Sequence, residues 1–336
     1  MERYIKKAGT KTKIFLILLV SIAPFGFLKT DYYFMSPGPP YQWAIEISLE
    51  ETYPFDGNLF QLTVRRDEAN YYSYIWAKFD DSVDLYEREQ ILPKGITPEV
   101  LNQISINSIK TSENVAIAVA LQTIGYEIVI SGDGVLVVSL LDDSPVINKL
   151  QKDDLIIQLN NHTVSSVSDF IGKLRTYEIG DTVSVSYIRD GKLQKFDTKL
   201  IEHVEYKEEP MVGFLASTPN EKYEFPFDID IKTGSVGGPS AGLLMALNVY
   251  NLLTLEDITK GKVIAGTGTI EIDGSVGPVG GIKQKVIAAK RIGAELILVP
   301  TSNFNEAMDL SDKNTSIIAV DSFQESLQVI NEFISR

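Results

Sequence analysis

Glycine is concentrated in one stretch of the chain, and this stretch limits the fold more than any other feature. Eleven of the 24 glycines lie between Lys232 and Gly281. Glycine lets the backbone turn tightly and be approached closely. A phosphate-binding loop would also need the pattern G-x-x-x-x-G-K-[ST], which is absent from the sequence. The stretch therefore predicts closely packed loops and shows no machinery for nucleotide hydrolysis.

A serine stands where one of these loops enters a helix. Residues 237–240 (GGPS) precede an apolar, helix-forming stretch from Ala241 to Leu253, and Pro239 suits the first helical turn. Unpaired N–H groups and the positive end of the helix dipole would stabilise an oxyanion formed when Ser240 attacks a carbonyl. Gly238, Pro239 and Ala241 are the candidate surroundings of that oxyanion. The alternative is that Ser240 only caps the helix.

A lysine is the candidate base, because the chain has two histidines and no cysteine. Two lysines open a helix predicted to run to about Ile292. At 100° per residue, Lys285 shares a face with Ala288 and Ala289, whereas Lys283 lies with Lys290. We therefore expect Lys285 to be buried and Lys283 to be solvated. Lowering a lysine pKa from about 10.4 to the useful range of 7–8 requires roughly 4 kcal/mol of desolvation.

Three motifs in order resemble the proteolytic domain of Lon proteases. They are residues 237–242 (GGPSAG), 266–270 (GTGTI) and 274–285 (GSVGPVGGIKQK). The resemblance runs from about Glu208 to the C-terminus. It implies that Ser240 is the nucleophile, that Lys285 is the general base and that Thr267 hydrogen-bonds the lysine.

The chain departs from that family in two respects. ATP-dependent Lon enzymes carry an acidic residue three positions before the serine, where this chain has Gly237. Their ATPase segments are also missing from these 336 residues. The resemblance therefore implies ATP-independent cleavage of peptides, small proteins or flexible segments.

A β-rich module from about residue 126 to 202 resembles a PDZ domain. Strands are predicted at 135–141, 155–159 and 183–188, with a helix from Val167 to about Tyr177. The resemblance implies that Gly134, Val135, Leu136 and Val137 bind an extended peptide as an added strand. The alternative is a module that serves only internal packing.

The N-terminal sequence is typical of a membrane anchor. Five basic residues precede an uncharged run from Ile14 to Leu28, so the basic side should stay in the cytoplasm. The run covers about 22 Å, against ~30 Å of hydrocarbon core. Spanning would need membrane thinning, snorkelling of Lys29 or help from residues 32–34. The alternatives are a signal peptide cleaved after Ala23, before an unfavourable Pro24, and a buried soluble helix.

Four regions follow from these patterns: a basic tail and anchor (1–30), an extracytoplasmic region of helix and strand (31–125), a PDZ-like domain (126–202) and a Lon-type proteolytic domain (208–336). A helix is predicted from about Pro98 to Gly125, in a region that we interpret as packing material. The expected fold class is α+β.

The sequence thus predicts an ATP-independent serine endopeptidase of the cell membrane, with its catalytic domain outside. The whole chain resembles the anchored, PDZ-bearing Lon-like proteases of the YlbL type, whose Lon relatives form rings. A peptide or protein substrate is expected, without metal or cofactor. Nucleic acid is a poor partner for a net charge of −14. The alternatives are a non-catalytic scaffold and a Ser-His enzyme using His203, for which no motif exists.

Overall fold

The chain folds into two compact units, and one of them is formed by two segments that are separated in the sequence. The computed structural model describes residues 23–49, 52–92, 97–141, 144–202, 210–234 and 236–335. Residues up to 125 and from 227 onward form the first unit, and residues 126–226 form the second. The second unit is therefore an insertion in the chain of the first.

The segment before the insertion contains a small antiparallel sheet and one long helix. Its elements are β1 (Lys29–Pro37), β2 (Ala44–Ile47), β3 (Asn58–Gln61), β4 (Val64–Asn70), α1 (Tyr71–Ala77), β5 (Asp84–Glu87), α2 (Arg88–Ile91) and α3 (Pro98–Thr123). The sheet order is β4-β1-β5. Helix α3 begins as the sequence predicts, because the Thr97 hydroxyl accepts the Val100 N–H and Pro98 occupies the first turn.

The inserted unit is built around a mainly antiparallel sheet. Its elements are β6 (Val129–Ser131), β7 (Val135–Leu140), β8 (Leu155–Leu159), β9 (His162–Thr163), α4 (Val167–Leu174), β10 (Thr182–Arg189), β11 (Lys192–Lys199), β12 (Ile201–Glu202), β13 (Pro210–Met211), β14 (Phe214–Ser217) and β15 (Lys222–Glu224). The main sheet has the order β11-β10-β8-β7-β14. Asp190 and Gly191 both have positive φ and close the β10–β11 hairpin. The three predicted strands and the helix are confirmed.

The segment after the insertion alternates helices and strands. Its elements are β16 (Ile229–Lys232), a 3-10 turn (Pro239–Ala241), α5 (Gly242–Leu253), β17 (Val263–Gly266), β18 (Thr269–Ile270), β19 (Val276–Gly277), α6 (Ile282–Arg291), β20 (Leu296–Pro300), a second 3-10 turn (Thr301–Asn303), α7 (Phe304–Met308), β21 (Ser316–Val320) and α8 (Phe323–Ile334).

The central sheet of the first unit is parallel, which corrects the expected fold class. Its order is β21-β20-β17-β3, and all three pairings are parallel. Every residue of β20 is buried, as is usual for a parallel strand. Helices α6 and α7 cross over between successive strands and return the chain to the same end of the sheet. The class is mixed α/β rather than α+β.

The region from 31 to 125 is part of the same unit as the C-terminal region. Strand β3 supplies the edge of the parallel sheet beside β17, and β2 pairs with β16. Helix α3 packs against α5. The sequence interpretation separated these regions because pairing between distant segments leaves no local pattern.

The predicted anchor lies mostly outside the described residues. Of the run from Ile14 to Leu28, only 23–28 are described, and they include a 3-10 turn at Ala23–Gly26. Among the helices that the structure describes, none is long and apolar enough to cross a membrane. Tyr33 and Phe34 are buried in β1, so they belong to the folded unit and do not extend a spanning segment.

Candidate active site

Ser240 lies in the 3-10 turn that leads into α5, at the position predicted for a nucleophile. Gly238 has φ +88°, a conformation that favours glycine, and Pro239 lacks the N–H that would be unpaired in a first turn. Ser240 is half-buried. Its hydroxyl has no hydrogen-bond partner within the described part of the chain, so the oxygen is available to react.

The backbone of Ser240 is fixed by three donors to its carbonyl oxygen. They are Gln61 Nε2 at 3.0 Å, Thr267 Oγ1 at 3.1 Å and the Gly268 N–H at 3.1 Å. Gln61 is 1% exposed and ends β3. The sequence interpretation missed Gln61, although a glutamine between Phe60 and Leu62 was a signal, since a buried polar side chain must find a partner.

Lys285 is buried on α6 and hydrogen-bonded to Thr267. It is 2% exposed, as its helix face predicts. Its Nζ donates to Thr267 Oγ1 at 2.9 Å, and that hydroxyl donates in turn to the Ser240 carbonyl. Burial lowers the pKa of Lys285 from 10.5 to about 7, because the protein interior disfavours the charged ammonium. Near neutral pH the amine is therefore free to accept a proton.

The N-terminal segment positions the start of α6. Gly281 has φ +68°, and a Cβ there would lie 2.8 Å from both Met35 Sδ and Val64 Cγ1. The Asp84 carboxylate accepts hydrogen bonds from Lys283 Nζ at 2.8 Å and Gln284 Nε2 at 2.7 Å. An acid at this end also complements the helix dipole. Lys283, expected to be solvated, is instead two-thirds buried in an ion pair.

Helix α3 contacts the loop before Ser240. The Gly238 N–H donates to the Ser105 carbonyl at 2.9 Å, and the Ser112 hydroxyl donates to the Pro239 carbonyl at 3.2 Å. A Cβ at Gly237 would lie 2.5 Å from Ser105 Oγ. A larger side chain at position 237 would therefore require the Ser105 hydroxyl to move.

These contacts change the set of oxyanion donors expected from the sequence. The Gly238 N–H is already used, and Pro239 has none. Of the residues predicted to surround the oxyanion, only Ala241 therefore has a backbone N–H that remains to donate. The N–H of Ser240 itself is a second candidate donor. Both amides lie in the first turn, where no helical carbonyl precedes them.

The predicted peptide-binding strand of the PDZ-like unit is already paired on both sides. Strand β7 pairs with β8 on one edge and with β14 on the other. The β14 pairing is antiparallel, from Leu136 opposite Ser217 to Leu140 opposite Phe214. The Phe214 ring packs 5.9 Å from that of Phe170 on α4. The edge expected to bind a peptide is therefore filled by the chain's own strand.

Two family models match separate parts of the chain. Residues 218–336 match the Lon protease (S16) C-terminal proteolytic domain, and residues 122–200 match the PDZ domain. The PDZ domain of the SdrC-like protein from Listeria monocytogenes shares 32% identity, covering 25% of this chain and 87% of that one with a TM-score of 0.24.

Curated relatives match the same C-terminal region. The Lon protease of Desulfosudis oleivorans is 40% identical over 95 residues, which is 28% of this chain and 11% of the relative. Lon protease 2 of Bacillus subtilis is 36% identical over 110 residues, or 31% of this chain and 19% of the relative. The chain thus spans less than a fifth of the length of these relatives. It carries a Lon-type serine peptidase domain together with a PDZ domain.

Proposed function

We propose that this chain is an ATP-independent serine endopeptidase in which Ser240 and Lys285 form the catalytic pair. The observation that carries the proposal is the burial of Lys285, which brings its pKa to about 7, combined with its link through Thr267 to the Ser240 loop. A lysine that served only packing or surface charge would gain nothing from such desolvation.

The geometry supports the following reaction. The neutral amine of Lys285 accepts the proton of Ser240 Oγ as that oxygen attacks the substrate carbonyl carbon. The amides of Ser240 and Ala241 stabilise the resulting oxyanion. The Lys285 ammonium then protonates the leaving amine, and water hydrolyses the acyl-enzyme with the same lysine as base.

Thr267 sets the starting position of the base. In the structure Lys285 Nζ donates to Thr267 and not to Ser240. We propose that a side-chain rotation brings Lys285 Nζ and Ser240 Oγ together before proton transfer. Catalytic hydrogen bonds often tighten only once substrate is bound.

The proposed substrates are flexible segments, peptides and small proteins. ATP independence is supported by the lack of a phosphate-binding motif in the sequence. Without ATP-driven unfolding, we do not expect large folded proteins to be substrates. Presentation by the PDZ domain would require a substrate segment to displace β14 from β7.

We further place the chain at the cell membrane, as in the anchored YlbL type, with the peptidase unit on the extracytoplasmic side. The support is the basic cluster followed by the uncharged run from Ile14 to Leu28. A non-catalytic scaffold is disfavoured because Ser240, Thr267 and Lys285 are all present and connected.

Casein cleavage without ATP tests the function. The wild-type chain should cleave it, and Ser240→Ala and Lys285→Ala should not. Lys290→Ala is the matched control, because Lys290 lies on the same helix but pairs with Asp312 instead of contacting Thr267. Full activity in folded Ser240→Ala would refute the assignment.

A further inference from the structure

Helix α1 presents an apolar stripe to solvent. Tyr72, Ile75 and Trp76 follow helical spacing i, i+3 and i+4, so they share one face, and Phe79 lies in the turn just after the helix. All four are exposed, Trp76 by 47% and Phe79 by 85%. The opposite face of the helix already packs on a core cluster through Tyr74. Ile75, Trp76 and Phe79 therefore form apolar surface that this core cluster does not cover.

Residues 25–28 extend this surface. The Phe25 ring lies 5.7 Å edge-on from that of Tyr71, and Asn70 Nδ2 donates to the Gly26 carbonyl at 2.9 Å. Phe27 is 88% exposed. We name the combined surface the aromatic face, formed by Phe25, Phe27, Tyr72, Ile75, Trp76 and Phe79.

The position of the aromatic face in the chain indicates what covers it. Residues 25–28 are the last part of the uncharged run that starts at Ile14. They are held against α1 by the contacts above. The aromatic face thus lies where the most apolar stretch of the chain joins the folded unit.

Its chemistry fits the boundary between lipid and water. Tryptophan and tyrosine are enriched there, with lysines reaching toward the headgroups. Lys29 follows Leu28 and keeps 71% of its side chain exposed while it pairs with Glu68. Lys78, at the end of α1, lies over the Tyr74 ring with its Nζ 5.3 Å from the ring centre. Exposed apolar side chains grouped on one helix and the adjoining segment are typical of an interaction site.

We infer that the aromatic face docks into the interfacial region of a lipid bilayer and holds the peptidase unit against the membrane surface. The inference shares its membrane location with the proposed function, but it does not depend on the peptidase chemistry. A second copy of the chain or residues 1–22 of the same chain would be the competing occupants.

The two tryptophans of the chain make the test direct. Trp43 is 8% exposed and its Nε1 has no partner within the described residues, so Trp43→Phe removes no hydrogen bond there. In that variant Trp76 is the only tryptophan, so the tryptophan fluorescence comes from Trp76 alone. The matched control is Trp76→Phe, which leaves the buried Trp43.

The full chain is reconstituted into phosphatidylcholine vesicles whose acyl chains are brominated near the headgroup. Trp76 emission should be largely quenched by the bromines and protected from aqueous iodide, while Trp43 emission should not be quenched by lipid. Quenching of Trp76 by iodide alone would overturn the docking. Protection from both quenchers would show that protein covers the face and would also overturn it.

A second variant separates docking from anchoring. Adding Ile75→Asp and Phe79→Asp to Trp43→Phe changes only exposed side chains, so the fold should persist by circular dichroism. Lipid quenching of Trp76 should be lost while the chain still floats with the vesicles. Unchanged quenching would show that anchoring alone brings Trp76 to the lipid. Failure to float at all would refute both membrane location and docking, and casein cleavage would still report on the peptidase.

Discussion

The pH dependence of cleavage follows from the burial of Lys285. Its pKa is lowered from 10.5 to about 7 by desolvation, without a neighbouring charge among the causes. At pH 7 about half of the lysine is then the reactive amine, against about one part in a few thousand for an ordinary lysine at 10.4. Burial therefore raises the population of working base about a thousandfold.

The perturbation is pH itself, and the assay is kcat/KM for an unstructured peptide across the neutral range. The rate should rise about tenfold per unit below the midpoint and level off above about 7. No step of the proposed reaction uses His162 or His203, so His162→Gln and His203→Gln should keep the same midpoint. A midpoint near 10, or a midpoint that moves with either histidine, would refute the reasoning.

Four further outcomes are expected. Near or below neutral pH, Lys285→Met should be more stable than wild type in urea titrations. Its free energy of unfolding should be higher by up to about 5 kcal/mol. The folded pKa lies below the unfolded one, so the advantage should shrink as pH rises from about 7 to about 10, and a constant advantage would contradict this. Gly281→Ala should cost about 1–3 kcal/mol by urea titration, because its φ is positive and its space is filled; a neutral effect would contradict the fit. Gly237→Ala should lower kcat, and adding Ser105→Ala should restore part of the loss. The effects of the two substitutions on kcat should be coupled by at least about 0.5 kcal/mol. Strictly additive effects would argue against the contact between the two residues. Phe214→Ser should loosen β14, so that hydrophobic peptides bind the PDZ unit by fluorescence anisotropy more tightly than in wild type; equal binding would show that β14 does not block the edge.

Local patterns predicted the parts of the site that local structure determines. The burial of Lys285 follows from helix periodicity, and the position of Ser240 follows from the order of glycine, proline and apolar residues. Lys285 lies within a helix whose limits the sequence indicates well, and Ser240 lies in the turn just before such a helix.

Contacts between distant segments were not predicted. Gln61 and Ser105 reach the candidate site because β3 pairs with β17 and α3 packs on α5. Asp84 reaches α6 because β5 pairs with β1, which packs on that helix. Nothing near these residues in the sequence reports the pairing. The parallel sheet was missed for the same reason.

The filled edge of β7 illustrates a different limit. Strand β14 has only four residues, and it lies beyond the boundary expected for the PDZ-like domain. A resemblance shows where a peptide would bind, but it does not show whether the chain itself occupies that place.

The proposed catalytic pair is tested most directly by covalent labelling. The chain is incubated with a peptidyl fluorophosphonate and the modified residue is located by mass spectrometry. The account predicts one adduct on Ser240 in the wild type and in Lys290→Ala, and strongly slowed labelling in Lys285→Met. An adduct on another residue, or equally fast labelling of Ser240 in Lys285→Met, would contradict it.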